Sequence, residues 1–169
     1  MNFGTRVTRH SGVLTRCFLA PTSVAPYCAG VKLSVRSDYA ARAVFGLARR
    51  VLSREPVTVE VLASEQDVPP NYLVQILIEL KAKHIVRSVR GKAGGYLLAR
   101  PPAEITLGDV LRCVHGQVFD TPALSDPDCA PELRRAWGQL RQCMETTADA
   151  ITFQHLVEEA AEKQKMYYI

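Results

Sequence analysis

Asn71 and Gln75 stand four residues apart, about one turn of a helix, and both end in primary amides. Such an amide can pair with two adjacent groups on the edge of a base, notably adenine. Downstream, Arg87, Arg90 and Lys92 surround Gly91, Gly94 and Gly95. Small residues at a turn let backbone approach phosphates, and an arginine beside them can enter a narrow minor groove. These residue types suit recognition of duplex DNA rather than bond making. Cys113 and His115 would make a nucleophile and base, but two residues apart on a helix they face different directions. No glycine-rich phosphate loop follows a strand and no paired-carboxylate cleft is signalled, so the chain is read as a non-enzyme.

The elements that must hold these residues follow from apolar spacing. Ala40, Ala43, Val44, Leu47, Ala48 and Val51 recur at helical intervals, with Arg42, Arg49 and Arg50 off that face, and Pro56 closes the helix. Thr58 caps a short second helix through Gln66, with Glu60 where the helix dipole favours an acid. Asp67-Val68 turns the chain, and Pro69-Pro70 opens a third helix, since proline is tolerated in a first turn. Leu73, Ile76, Leu77 and Leu80 form its buried stripe, which leaves Asn71, Gln75 and Ile78 outward, flanked by Tyr72 and Glu79. At Ile85–Arg90 and Gly95–Ala99 the period shortens to two. That change predicts a hairpin with Gly91-Lys92-Ala93-Gly94 at its tip. Helix, short helix, turn, helix and hairpin is the order of a winged helix-turn-helix, whose second paired helix fits a major groove about 12 Å wide.

Beyond Arg100-Pro101-Pro102, Thr106 and Asp109 predict a capped helix to about His115. Residues 116–131, with three prolines and three aspartates, read as a loop. Leu133, Trp137, Leu140 and Met144 then repeat at intervals of 4, 3 and 4, the seam of a helix that pairs with another helix. Trp137 reads as a core or dimer anchor rather than a cofactor platform. Ala150-Ile151-Thr152 breaks that helix, and Phe153, Leu156, Val157 and Ala160 mark a last amphipathic one. The expected fold is therefore mainly α with a small β-hairpin wing: a winged helix-turn-helix domain plus a long dimerisation helix. Its expected divisions are an extension at 1–30, the DNA-binding domain at 31–102, a connecting helix and sensor-type loop at 103–131, and dimerisation and C-terminal helices at 132–169.

Charge distribution agrees with that division. Residues 31–100 carry 12 Lys/Arg against 6 Asp/Glu, whereas residues 101–169 carry 6 against 11. A basic middle suits a polyanion, although uneven solvated surface would give the same asymmetry. Apolar residues make up 47% of the 169, and no run of 18 apolar residues is present, which excludes a membrane-spanning helix and suggests a cytoplasmic protein. The five cysteines, Cys17, Cys28, Cys113, Cys129 and Cys143, form no CxxC pair and read as reduced thiols; Cys143, beside Met144, reads as packing.

Four stretches carry a family resemblance. They are Val31-Lys32-Leu33-Ser34-Val35-Arg36-Ser37-Asp38-Tyr39-Ala40-Ala41-Arg42-Ala43, Asn71-Tyr72-Leu73-Val74-Gln75, the segment from Val89 to Pro102, and Glu104-Ile105-Thr106-Leu107-Gly108-Asp109-Val110. From Val31 to about Leu156 the chain resembles the Rrf-type regulators, the family of IscR, NsrR and CymR. The wing motif Arg90-Gly91-x-x-Gly94-Gly95-Tyr96 is its most specific part. The resemblance implies a homodimer held by the helix at 133–148, whose two heads read a pseudo-palindromic operator in double-stranded DNA, with repression as the expected outcome. It also implies groove contacts from Tyr72 and Gln75 and a minor-groove arginine at Arg90. Val74 stands where some members carry a base-reading glutamate.

Members that hold an iron–sulfur cluster place three cysteines before the dimerisation helix, whereas residues 116–131 have Cys129 alone. Asp38 matches a first-helix carboxylate that ligates the cluster in certain members. A mixed site from Cys113, His115, Cys129 and a partner's Asp38 is one alternative. The preferred expectation is a regulator without a standard cluster, answering to a small molecule, a thiol signal or a protein effector. A winged-helix protein-interaction module is the other alternative. Residues 1–30 contain three arginines, no acid and no hydrophobic period. Because family members begin Met-Lys-Leu-Ser or similar, Val31-Lys32-Leu33-Ser34 is expected to mark the native start, valine being what a GUG start codon shows when read internally. A basic arm on phosphates and an organelle transit peptide are the competing readings of that leader.

Overall fold

The computed structural model describes residues 33–166 apart from Lys92, so the leader, the proposed start at Val31 and the Lys92 assignment lie outside the described residues. Six helices and one hairpin follow in order: α1 Val35–Arg49, α2 Val59–Gln66, α3 Pro70–Ala82, β1 Val86–Val89, β2 Gly95–Leu98, α4 Leu107–His115, α5 Pro131–Ala150 and α6 Phe153–Met166. The mainly helical winged fold is as expected. Both strands are shorter than their period-two runs, and α5 is longer at both ends than its seam.

Local chemistry sets the boundaries. Ser34 caps α1 by accepting from the Ser37 amide, and Thr58 caps α2 by accepting from the Val61 amide. Asp67 takes a left-handed conformation, φ 51°, which turns the chain sharply enough to lay α3 across α2. Thr106 and Asp109 form a reciprocal capping box at the start of α4, satisfying two amides that would otherwise lack partners. Asp109 thus does the work of the usual glutamate or glutamine.

The core sits where α1 meets α2, α3, α4 and α6. Leu73, Ile76, Leu77 and Leu80 are all buried, as the stripe requires, beside Ala43, Val44, Leu47 and Leu62. Full burial of four such side chains removes enough apolar surface to contribute several kcal/mol, at about 1.5–3 kcal/mol each. Phe153 closes the far side of this core from the first turn of α6.

The hairpin has a third participant that alternation did not reveal. Val86 pairs with Leu98 and Val89 with Gly95, while Val57, just before α2, exchanges two backbone hydrogen bonds with Tyr96, at 3.0 and 2.8 Å. A Cβ at Gly95 would lie 2.4 Å from the Val57 carbonyl oxygen, so only glycine permits this approach. Gly91, at φ 119°, reverses the chain at the tip with open space around it.

Candidate nucleic-acid interface

The third helix fixes its own orientation. Because one face is buried to 1% exposure or less at Leu73, Ile76, Leu77 and Leu80, the opposite face must be presented outward. Asn71, Tyr72, Val74, Gln75 and Ile78 are all exposed, Tyr72 at 62%. Two amides, a phenol and two aliphatic groups on one convex face can meet base edges and thymine methyl groups. The wing is tied to this helix: Lys81 Nζ donates to Ser88 Oγ at 2.7 Å, joining the end of α3 to β1. Arg87 on β1 and Arg90 just after it are exposed, and Gly94 and Gly95 are half-buried where the strand returns.

Three side chains that the apolar pattern did not single out support this face. Tyr39 of α1 meets the Tyr72 ring edge-on, with centroids 6.2 Å apart and planes at 65°. That contact restricts the rotamers of an otherwise solvated tyrosine. Arg36, one turn before, pairs with Glu79 of α3. Val35, Arg36, Tyr39, Tyr72, Gln75 and Ile76 together line a cleft of about 480 Å³ beside the outward face. Arg36 and Tyr39 share an i, i+3 row off the apolar face of α1, and Lys81 lies off that of α3. Spacing could have marked these exposed rows, but it could not name their partners.

The remaining candidates separate. Asp38 pairs with Arg42 at 2.9 Å on the exposed side of α1. His115 lies at the end of α4, where its Nε2 is 2.5 Å from Oγ of the buried Ser37 and 3.1 Å from Ser34 Oγ. Cys113 is half-buried against the main core, and its thiol is pushed up by burial and then by the Glu79 charge, with Lys83 and Arg36 opposing. Cys129 is half-buried at the end of the loop, where Arg134 of α5 donates to the carbonyls of Asp126, Pro127 and Cys129 at 2.6, 3.0 and 3.0 Å. Cys143 is exposed. Among the described residues of one chain, no three His, Cys, Asp or Glu side chains gather as a metal ion would require. Within one chain Cys113, His115, Cys129 and Asp38 thus have separate surroundings, and the mixed site would need Asp38 of a partner subunit.

The seam residues divide as well. Leu133 and Leu140 are 50% and 40% exposed, while Trp137 and Met144 are half-buried. Trp137 stacks on Phe119, centroids 6.1 Å apart and planes at 26°. Of the 20 residues of α5, Ala148 alone is buried. Near it, Arg112 of α4 donates to Asp149 at 2.6 and 3.2 Å, and this bonding holds the Asp149 carboxyl below its ordinary range.

Among the described residues no helix is long and apolar enough to cross a membrane. Residues 33–159 match the family model described as "Rrf2: Iron-dependent Transcriptional regulator". A Mycobacterium tuberculosis protein named as a candidate HTH-type transcriptional regulator is 37% identical over 129 residues, covering 72% of this chain and 78% of the relative. The HTH-type transcriptional regulator CymR of Bacillus subtilis is 27% identical over 137 residues, covering 81% and 97%. Among solved structures, T. potens IscR superposes with a TM-score of 0.67 at 31% identity, over 82% of this chain and 98% of that one. B. subtilis CymR, described as a global cysteine regulator, gives 0.68 at 26% identity, over 77% and 98%. The match over residues 33–159 and the likeness to these regulators show the family: the chain belongs to the Rrf2 family of transcriptional regulators rather than to a family of enzymes.

Proposed function

We propose that the chain binds a pseudo-palindromic operator as a homodimer and represses transcription there. The observation that carries this reading is the outward face of α3, with Asn71, Tyr72 and Gln75 exposed opposite a fully buried stripe. In this reading α3 enters the major groove, Tyr72 and Gln75 meet bases, and Arg90 enters the adjacent minor groove, with Arg87 and the glycine turn against phosphates. Two such heads on a symmetric dimer read two half-sites, which favours a palindromic operator. Occupying that stretch excludes other proteins from it, and repression is the simplest outcome. Arg90→Ala is expected to weaken operator binding by about 1–3 kcal/mol at fixed salt, measured by fluorescence anisotropy. Unchanged affinity in a folded variant would remove the wing from the reading.

A standard cluster is not part of this proposal. Protein purified without oxygen should carry iron and acid-labile sulfide far below one cluster per chain. Near-stoichiometric iron and sulfide, lost on Cys129→Ser, would reverse this.

A further inference from the structure

The Asp109 carboxylate stands between the foot of the wing and the end of α5, and three donors share it. Its Oδ2 accepts from Arg100 Nη2, just beyond β2, and from the Thr106 amide, each at 3.3 Å. Its Oδ1 accepts from Arg112 Nη2, also at 3.3 Å. Arg112 has a second partner that lies nearer: Asp149, at the end of α5, takes two of its nitrogens at 2.6 and 3.2 Å. Arg100 donates in addition to the Glu104 carbonyl at 3.3 Å, while its enclosed Nε has no acceptor among the described residues, so the terminal nitrogens tie it down. The seat of Asp149 depends on a missing side chain, since a Cβ on the buried Gly108 would lie 2.0 Å from its Oδ1. A largely solvated ion pair adds little stability by itself, so what counts here is which partner each charge is left with.

We propose that Asp149 is a positioning residue for the wing: by holding Arg112 it leaves Asp109 to Arg100, which pins the wing foot against the start of α4. Without the Asp149 carboxylate, Arg112 turns its freed nitrogens onto Asp109, its other ion-pair partner among the described residues, in competition with Arg100. Arg100 stands two residues beyond β2, so a foot it no longer pins lets that strand shift. Val89 pairs with Gly95 across the hairpin, and the shift therefore reaches Arg90, the next residue. Losing the carboxylate does not undock α5. The Leu107 amide still donates to Ile151 at 2.9 Å and the Phe153 amide to Ile105 at 3.0 Å, which holds the junction of α5 and α6 beside α4. The inference rests on the part of the wing in the proposed function, and it makes the end of the proposed dimer helix a determinant of the wing's grip.

Net charge and geometry predict opposite results. Asp149→Asn removes one negative charge, and electrostatics alone would tighten binding to DNA. The probe is a labelled duplex selected by the unaltered full chain from a random-sequence pool, followed by fluorescence anisotropy at fixed salt. Asp149→Asn is expected to lower affinity about threefold to tenfold while sedimentation shows an intact dimer. Gly108→Ala, which evicts the Asp149 carboxylate without changing any charge, should do the same. Glu159→Gln, which removes an equal charge from an exposed pair with His155 on α6, should not weaken binding. A structural defect elsewhere would add to the loss from Arg90→Ala, whereas a defect acting through the wing should not: in the double variant Asp149→Asn should cost less than about twofold more. Unchanged or tighter binding by Asp149→Asn or Gly108→Ala, additive losses in the double variant, or dissociation of the dimer would each overturn the assignment. Normal binding by Arg90→Ala would remove the wing reading itself and this inference with it, so the two failures are told apart.

Discussion

Phe153→Ala is expected to remove about 3–5 kcal/mol of folding stability, a large fraction of what a domain of this size possesses. The ring is 1% exposed and belongs to the cluster that contains Ala40, Ala43 and Val44 of α1. The helix α1, on which α6 packs, is fixed by α2, α3 and α4 as well, so it cannot readily move in to fill the void. The backbone at this point is also held: the Phe153 amide donates to the Ile105 carbonyl at 3.0 Å, and Leu107 donates to Ile151 at 2.9 Å. The cavity should therefore stay open, and its cost should lie near the upper part of the range. Chemical denaturation of the two proteins at matched concentration measures the difference. A loss below about 1 kcal/mol would show that the site collapses and that α6 is not an anchor of the reading head.

Trp137→Ala is expected to convert dimer to monomer, because a closed two-fold interface loses the same side chain from both subunits. Truncating a packed aromatic at an interface costs about 2–4 kcal/mol or more per site, so the association constant should fall by several orders of magnitude. The stack on Phe119 complicates this variant, since its loss also loosens the loop before α5. Leu140→Asp avoids that complication. Leu140 is 40% exposed and on the same row, so an isolated chain tolerates the charge while a paired seam does not. Sedimentation should show monomers for both variants and weaker operator binding for each. A stable Leu140→Asp dimer would exclude the seam.

Much of this architecture could be read from residue order because it rests on local rules. Thr58, Pro70 and the Thr106–Asp109 pair set helix starts where they were expected, and the α3 stripe is buried residue by residue as spaced. Contacts between distant segments left no such signature. The Val57–Tyr96 bridge uses backbone atoms alone, so no residue type announces it. The short helical turn at Pro122–Leu124 lies inside a stretch dominated by proline and aspartate, which conceals it. Ser37 reads as an ordinary polar position of α1, yet it is buried because His115, 78 residues away, supplies its partner. Arg134 carries no mark in the sequence beyond its charge, yet it organises three carbonyls of the preceding loop.

The bridge between Val57 and Tyr96 bears on when disorder is lost. Fixing one residue's backbone costs about 1–2 kcal/mol of conformational entropy. A wing flapping freely from its foot would have to meet that cost at the moment of docking, and its affinity would fall accordingly. Here the foot is stitched to the start of α2 by two hydrogen bonds as the chain folds, and Lys81 ties β1 to α3 a second time. Helix and wing base therefore arrive at the double helix as one rigid tool with its jaw already set. Because the wing base is tied to both elements, any shift of α2 against α3 must strain or break one of these ties before the wing can move.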